Sequence, residues 1–368
     1  MKITFLSGNL QGKISFLNHA VSTRGQLPIL SNFLLQAKNG KLTISATDLE
    51  IGISASIPVN VETEGEVTIP AKNFTDLLTN MANQKITLSL EGETLNLTGE
   101  KVKASFQTMP AEDFPKLYEE KGDEIISTKK SDIEEYIQRT AFSAAIDSSR
   151  PALSGVLLDK DKDEVLLVAT DGYRLSLQKN VFKASEGLTK PLVVPARIIK
   201  ELLSIKEDGD MVKIFVSEKN NQILFLQNET VLVGRLIDAE YPDYEKIIPT
   251  EFSTKVEVER ERLYNAIKIC SVFARETANI IKFSIEKNKI IVSANSPSVG
   301  EDAVDVDATL TGESNEIAFN AKYLLDALSA INDEFLIFEM NGPLNSGVFR
   351  IKGDNSFLHL IMPIRVQG

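Results

Sequence analysis

Three cations recur at a fixed place in this chain. Lys72, Arg197 and Lys322 each stand two residues after Pro70, Pro195 or Asn320, and those markers repeat at a step of 125 residues. Each marker opens a stretch with helical apolar spacing, so each cation falls in the first turn of a predicted helix. There it opposes the helix macrodipole, at a cost of roughly 0.3–1 kcal/mol. In a chain of net charge −12, three such placements point to phosphate contact, reinforced by the N–H groups of the helix start. The competing explanation is a solvated residue retained from a common ancestor. Arg24, Arg150 and Lys200 lie on or beside predicted helices and complete the candidate phosphate-binding set.

Other residues able to do chemistry have the wrong spacing for it. His19 and His359 are far apart, and neither has a nearby Cys or His with which to hold a metal. Asp159, Asp161 and Asp163 alternate like half a calcium loop, but the glycine and terminal Glu are missing, so a charged hairpin tip is expected. No phosphate-binding G-x-x-x-x-G-K-[ST] loop, dinucleotide G-x-G-x-x-G or G-x-S-x-G elbow is present. No catalytic residue, metal or cofactor is therefore expected. Thr170-Asp171-Gly172-Tyr173-Arg174-Leu175 reads as a hairpin turn, and Thr47-Asp48-Leu49-Glu50 repeats its start without the Tyr-Arg pair. Ile361-Met362-Pro363-Ile364-Arg365 is more apolar than a frayed tail, so it should dock, and it would make a plausible peptide-binding wall.

The elements that carry these residues come in three copies. Val67–Met81, Leu192–Ile205 and Ile317–Ile331 each read as a short apolar strand followed by a helix. Phe74, Leu77, Leu78 and Met81 form one apolar helix face; Ile199, Leu202 and Leu203 repeat it, as do Leu324, Leu328 and Ile331. So long a period marks three copies of a whole domain rather than a solenoid. The expected modules are 1–123, 124–249 and 250–368, each with two helices and roughly eight strands, an α+β class. Ser131 with Glu134 three residues on reads as a capping box opening a helix over Ser131–Ala144. Leu10–Val21 and Arg260–Phe273 are the corresponding first helices of the other modules.

With 43% hydrophobic and 25% charged residues, the composition is that of a soluble globular protein. No apolar run approaches the length of a membrane span, and no signal peptide is expected at the start. The single cysteine, Cys270, fits a reducing cytosol, so a cytoplasmic protein is expected. The acidic balance argues against gripping nucleic acid over the whole surface and favours loose, oriented contact through a local basic face.

The phrases TRGQLPIL, ATDGYRL, VVPAR, YPDYEKIIP, FNAKYLLDAL and MPIR, in this order on three tandem modules, resemble those of the bacterial sliding clamps, the beta subunits of DNA polymerase III, along the whole length. The resemblance implies three DNA-clamp domains per chain, two helices on antiparallel sheets in each, and a head-to-tail homodimer forming a six-domain ring around double-stranded DNA. It implies a non-catalytic processivity factor in DNA replication that reads no sequence. Its partners would be a clamp loader, DNA polymerases and other proteins with short clamp-binding motifs. The peptide cleft it implies would include Leu153, Thr170, Gly172, Tyr173, Arg174, Leu175, Pro242, Ile247, Asn320, Tyr323, Met362, Pro363, Ile364 and Arg365. Tyr173, Pro242, Met362 and Pro363 would be apolar walls, and Arg174 and Arg365 polar edges. An exposed Phe106, with Val272 and Phe273, would form the subunit interface. The chain departs from the family pattern at Glu245-Lys246, where two basic residues are common, and in its added Val366-Gln367-Gly368. The alternative is a diverged cytosolic peptide-binding scaffold that does not encircle DNA; a hydrolase ranks well behind both.

Overall fold

A computed structural model describes residues 1–22, 27–147, 149–179, 181–183, 187–206 and 209–365. Arg24 and the Val366-Gln367-Gly368 extension lie outside the described residues. Six α-helices are found among those described: α1 (Gly8–Leu17), α2 (Ala71–Asn80), α3 (Lys130–Thr140), α4 (Ala196–Leu203), α5 (Arg260–Ala274) and α6 (Ala321–Ala330). None is long and apolar enough to cross a membrane.

The predicted apolar faces bury as their spacing requires. Phe74 and Leu78 of α2, Ile199 and Leu202 of α4, and Leu324 and Leu328 of α6 are all in the core. Pro70 and Asn320 are N-caps, so Lys72 and Lys322 occupy the second helical position. Asn320 does what a proline cannot: its side chain accepts the Lys322 N–H at 2.9 Å. The expected capping box at α3 is not formed. The helix starts one residue earlier, at Lys130, and Ser131 is bonded instead to Asp210, whose carboxylate accepts its N–H at 3.2 Å and its hydroxyl at 3.1 Å. A distant aspartate thus supplies the first-turn acceptor that the local Ser-Glu pair was expected to provide. α1 is also shorter than expected, breaking at Asn18 into a 3₁₀ turn.

The chain compacts into two units, and the second module is divided between them. One unit holds residues 1–131 and 197–236; the other holds 132–183, 188–196 and 237–365. In the first unit an eight-stranded antiparallel sheet runs Asp123–Lys129, Met211–Ser217, Gln222–Gln227, Thr230–Arg235, Ile51–Pro58, Lys41–Thr47, Asn32–Lys38, Gly65–Pro70. A five-stranded sheet accompanies it, ending at Lys103–Gln107. The pairing of Ile51–Pro58 with Thr230–Arg235, Gly234 opposite Ile51, fuses the first module to half of the second.

The second unit is organised on a twelve-stranded antiparallel sheet. Its module seam is the ladder between Arg174–Gln178 and Asp354–Ile361, with Arg174 opposite Ile361. Its core is aromatic: Phe283, Phe319 and Phe338 meet edge to face at 5.8–6.0 Å. Gly347 sits against that cluster because a Cβ there would lie 2.5 Å from the Phe319 ring and 2.7 Å from Phe338.

Candidate functional site

The Thr170–Arg174 turn builds one wall of a groove in the second unit. The Thr170 hydroxyl accepts the Gly172 N–H at 3.0 Å and donates to the Arg174 carbonyl at 2.6 Å. Asp171 Oδ1 accepts the N–H groups of Tyr173 at 2.9 Å and Arg174 at 3.0 Å. Gly172 takes φ +91°, a conformation that suits glycine. This side-chain-clasped turn leaves Tyr173 60% exposed. The Tyr173 carbonyl accepts the Met362 N–H at 2.8 Å, and two residues later the Ile364 N–H bonds the Ala318 carbonyl at 2.8 Å. The predicted docking of the Ile361–Arg365 segment is therefore met by backbone hydrogen bonds.

Opposite stand Ile247, Ile248 and Pro249, with Leu344 and its neighbours closing a cavity of about 500 Å³. Leu344, Ile247 and Met362 are each exposed by about half or more, at 61%, 49% and 45%. Of the expected cleft residues, Thr170, Gly172, Tyr173, Arg174, Ile247 and Met362 line this cavity. Leu153 and Leu175 are buried in the core. Pro242, Pro363, Ile364 and Arg365 lie outside the lining, Asn320 is spent as the α6 cap, and Tyr323 packs on Arg174. Sequence reasoning missed Lys246, Ile248, Pro249, Asn341, Leu344, Asn345, Ser346 and Leu360. The signal was available in part, since Asn341–Ser346 links the apolar runs Phe335–Met340 and Gly347–Ile351.

Arg174, expected as a charged or hydrogen-bonding edge, lines the cavity, but its guanidinium is taken up by its own chain. Its Nε donates to Asp171 at 3.1 Å, Nη1 to Asp326 at 2.7 Å and Nη2 to the Phe142 carbonyl at 3.0 Å. The guanidinium is sandwiched by Tyr323 at 4.6 Å and Phe142 at 5.3 Å, and the residue is only 6% exposed. A buried cation must be paired and hydrogen-bonded, and this one is bound on every side by its own chain. Nearby, His359 is fully buried, with Nδ1 2.8 Å from the Ser176 hydroxyl. Burial, with Arg174 adding to it, pushes its pKa down to about 3, so it is neutral. Cys270 is buried too, its thiol pushed up to about 12 by burial and then by Asp302, and it is no nucleophile.

The repeated cations have individual surroundings. Arg197 donates to Asp48 at 2.8 Å and to the His19 carbonyl at 2.9 Å, yet is half exposed. Lys322 pairs with Asp326 at 2.7 Å. These carboxylates offset the unfavourable position in the first turn. Lys72 is exposed and has no ion pair among the described residues, Arg150 reaches the Asp171 carbonyl at 3.4 Å, and Lys200 is exposed.

The expected exposure of Phe106 is not found. It is 8% exposed, edge-on to Phe74 at 5.7 Å, because the pleat of its strand turns it toward α2. Val272 is 58% exposed, and Phe273 is partly buried against the core.

Comparison with known proteins gives one answer over the whole chain. Residues 1–118, 127–243 and 245–365 match, in order, the N-terminal, central and C-terminal domains of the DNA polymerase III beta subunit. The beta sliding clamp of Staphylococcus aureus is 30% identical over 360 residues, 94% of each chain. That of Synechococcus elongatus is 29% identical over 377 residues and covers both chains completely. The crystal structure of the Bacillus subtilis DNA polymerase sliding clamp superimposes with a TM-score of 0.94 at 26% identity, covering all of both chains. The chain belongs to the DNA polymerase III beta subunit family, the bacterial beta sliding clamps, and its function is that of a DNA sliding clamp.

Proposed function

We propose that two copies of the chain join head to tail into a six-domain ring around duplex DNA, each contributing three domains bounded near residues 123 and 249. The ring acts in the cytoplasm as a non-catalytic processivity factor. The observation that carries this reading is the groove of the second unit, where Tyr173, Ile247, Leu344 and Met362 expose apolar surface around a preformed trough. Such a trough suits a short extended peptide with a glutamine and two large apolar anchors. Clamp loader, polymerases and other replication and repair proteins would present such segments, and the chemistry resides in them. Tethering raises the effective concentration of polymerase at the template.

Head-to-tail closure is supported by two sheet edges. Lys103–Gln107 ends the five-stranded sheet, and the Gly300–Asp307 half of a long strand is paired on one side only. An open edge is a template for another strand. Here the two edges differ in charge, with Lys103 on one and Glu301 and Asp305 on the other. Lys72, Arg150, Arg197, Lys200 and Lys322, with Arg24, would touch phosphates without reading bases. The test is retention on circular against linearised DNA with a loader and ATP. Loss on linearisation supports a topological ring, and equal retention would sink it.

A further inference from the structure

We propose that the first unit carries a second peptide-binding groove, which takes a short extended segment of another protein with one large apolar anchor flanked by side chains of both charge signs. The proposal rests on reading the trough of the second unit as a peptide groove, because the two are built alike. The Thr47–Ile51 turn reproduces Thr170–Arg174 bond for bond. The Thr47 hydroxyl accepts the Leu49 N–H at 3.0 Å and donates to the Ile51 carbonyl at 2.9 Å. Asp48 Oδ1 accepts the N–H groups of Glu50 at 3.0 Å and Ile51 at 2.9 Å. Leu49 holds φ +77° where Gly172 holds +91°. The strand after each turn pairs with the closing strand of the next module, Ile51 opposite Gly234 as Arg174 is opposite Ile361. Residues 115–119 border this cavity as residues 246–249 border the other.

The differences define what the first groove accepts. Its volume is about 290 Å³ against about 500 Å³, room for one large side chain with its backbone rather than two. Leu49, 54% exposed, offers the apolar contact at the turn tip. Glu50 stands where the other groove has Tyr173. Glu50, Glu119, Lys116 and Arg235 line the cavity, are exposed, and have no ion pair among the described residues. Two unpaired acids and two unpaired bases in one groove are complementary to a segment carrying both signs.

The probe is a displayed library of random linear nonapeptides, selected on the full chain while a saturating QLxLF-type peptide occupies the groove of the second unit. Recovered peptides should carry an apolar anchor and both charge signs. They should bind at least tenfold more weakly to Leu49→Lys and to Arg235→Glu, and unchanged to Tyr173→Ala. Inverting the peptide's acidic residue to Lys should restore binding to Arg235→Glu, an effect that misfolding cannot mimic. Recovery of no peptide, or only of peptides insensitive to Leu49 and Arg235, overturns the proposal. So does self-association of the chain that Leu49→Lys abolishes, which would put a second copy there. Failure of Tyr173→Ala to weaken the QLxLF-type peptide is a separate result, and it strikes the reading of the second unit's trough instead.

Discussion

Arg174 shows what a residue's type does and does not disclose. Its charge suggested a groove edge, whereas its partners, Phe142 and Asp326, lie 32 and 152 residues away and have no signature in the sequence. Replacing it leaves Asp171 without its cation and Asp326 with Lys322 alone. Arg174→Ala should cost about 3 kcal/mol of unfolding free energy, the usual scale for breaking a buried pair. Arg174→Lys should recover less than half, because one ammonium cannot reproduce the fork and the stacking. Urea unfolding of the three proteins measures this, and a wild-type midpoint for Arg174→Ala would refute it. His359 gives a pH dependence whose sign follows from its burial. Unfolded, it takes up a proton below about pH 6.5; folded, it stays neutral down to about 3. The unfolded state thus binds more protons in that window, so the stability from neutral His359 is full above 6.5 and is lost as pH falls toward 3. His359→Gln should flatten the stability curve by about 1 kcal/mol per pH unit between pH 6 and 4. Parallel curves for the two proteins would show that the ring is protonated in place.

At the scale of elements, the sequence was legible wherever one face of a helix or strand meets water. The α2, α4 and α6 faces were read correctly from spacing alone, because a single stripe of each helix is apolar. Ile51–Pro58 was not read as a strand, because it sits within its sheet and buries residues on both faces, which erases period two. The capping box at Ser131 failed because an acceptor from Asp210 outcompetes a local pattern. The groove was half legible. Its turn was visible in Thr170–Arg174, while Leu344 and Ser346 reach it only through the hairpin they close. That hairpin is also tightly packed. Gly347→Ala would press a methyl into the rings of Phe319 and Phe338, which cannot yield without moving the aromatic core, so about 1–3 kcal/mol should be lost. A thermal unfolding midpoint unchanged from wild type would mean that the core relaxes freely there.

For the molecule as a whole, the three modules announced by the repeat match three clamp domains, and strand pairing gathers them into two compact units. Repeats report ancestry, whereas compaction follows strand pairing, and the seam ladders join halves of neighbouring modules. Of the residues expected at a subunit interface, Phe106 is buried inside its own chain while Val272 stays exposed. Sedimentation at micromolar concentration should give twice 40.6 kDa. Val272→Asp should shift it toward the monomer without lowering the unfolding midpoint, because that side chain contributes nothing to the core. A dimer as tight as wild type would exclude this helix face from the interface.

The ladder between Ile51–Pro58 and Thr230–Arg235 also constrains how the protein is made. A chain emerging from the ribosome at roughly 5–20 residues per second exposes the first strand roughly 10–30 s before its partner exists. Through that interval Ile51, Ile53 and Ile57 lie on a strand with one unsatisfied edge, although all three end in the core. The first unit is therefore completed only after the second half of the middle module has been made. Its eight-stranded sheet must wait for the middle of the message, and the waiting edge is the natural client of a holding chaperone.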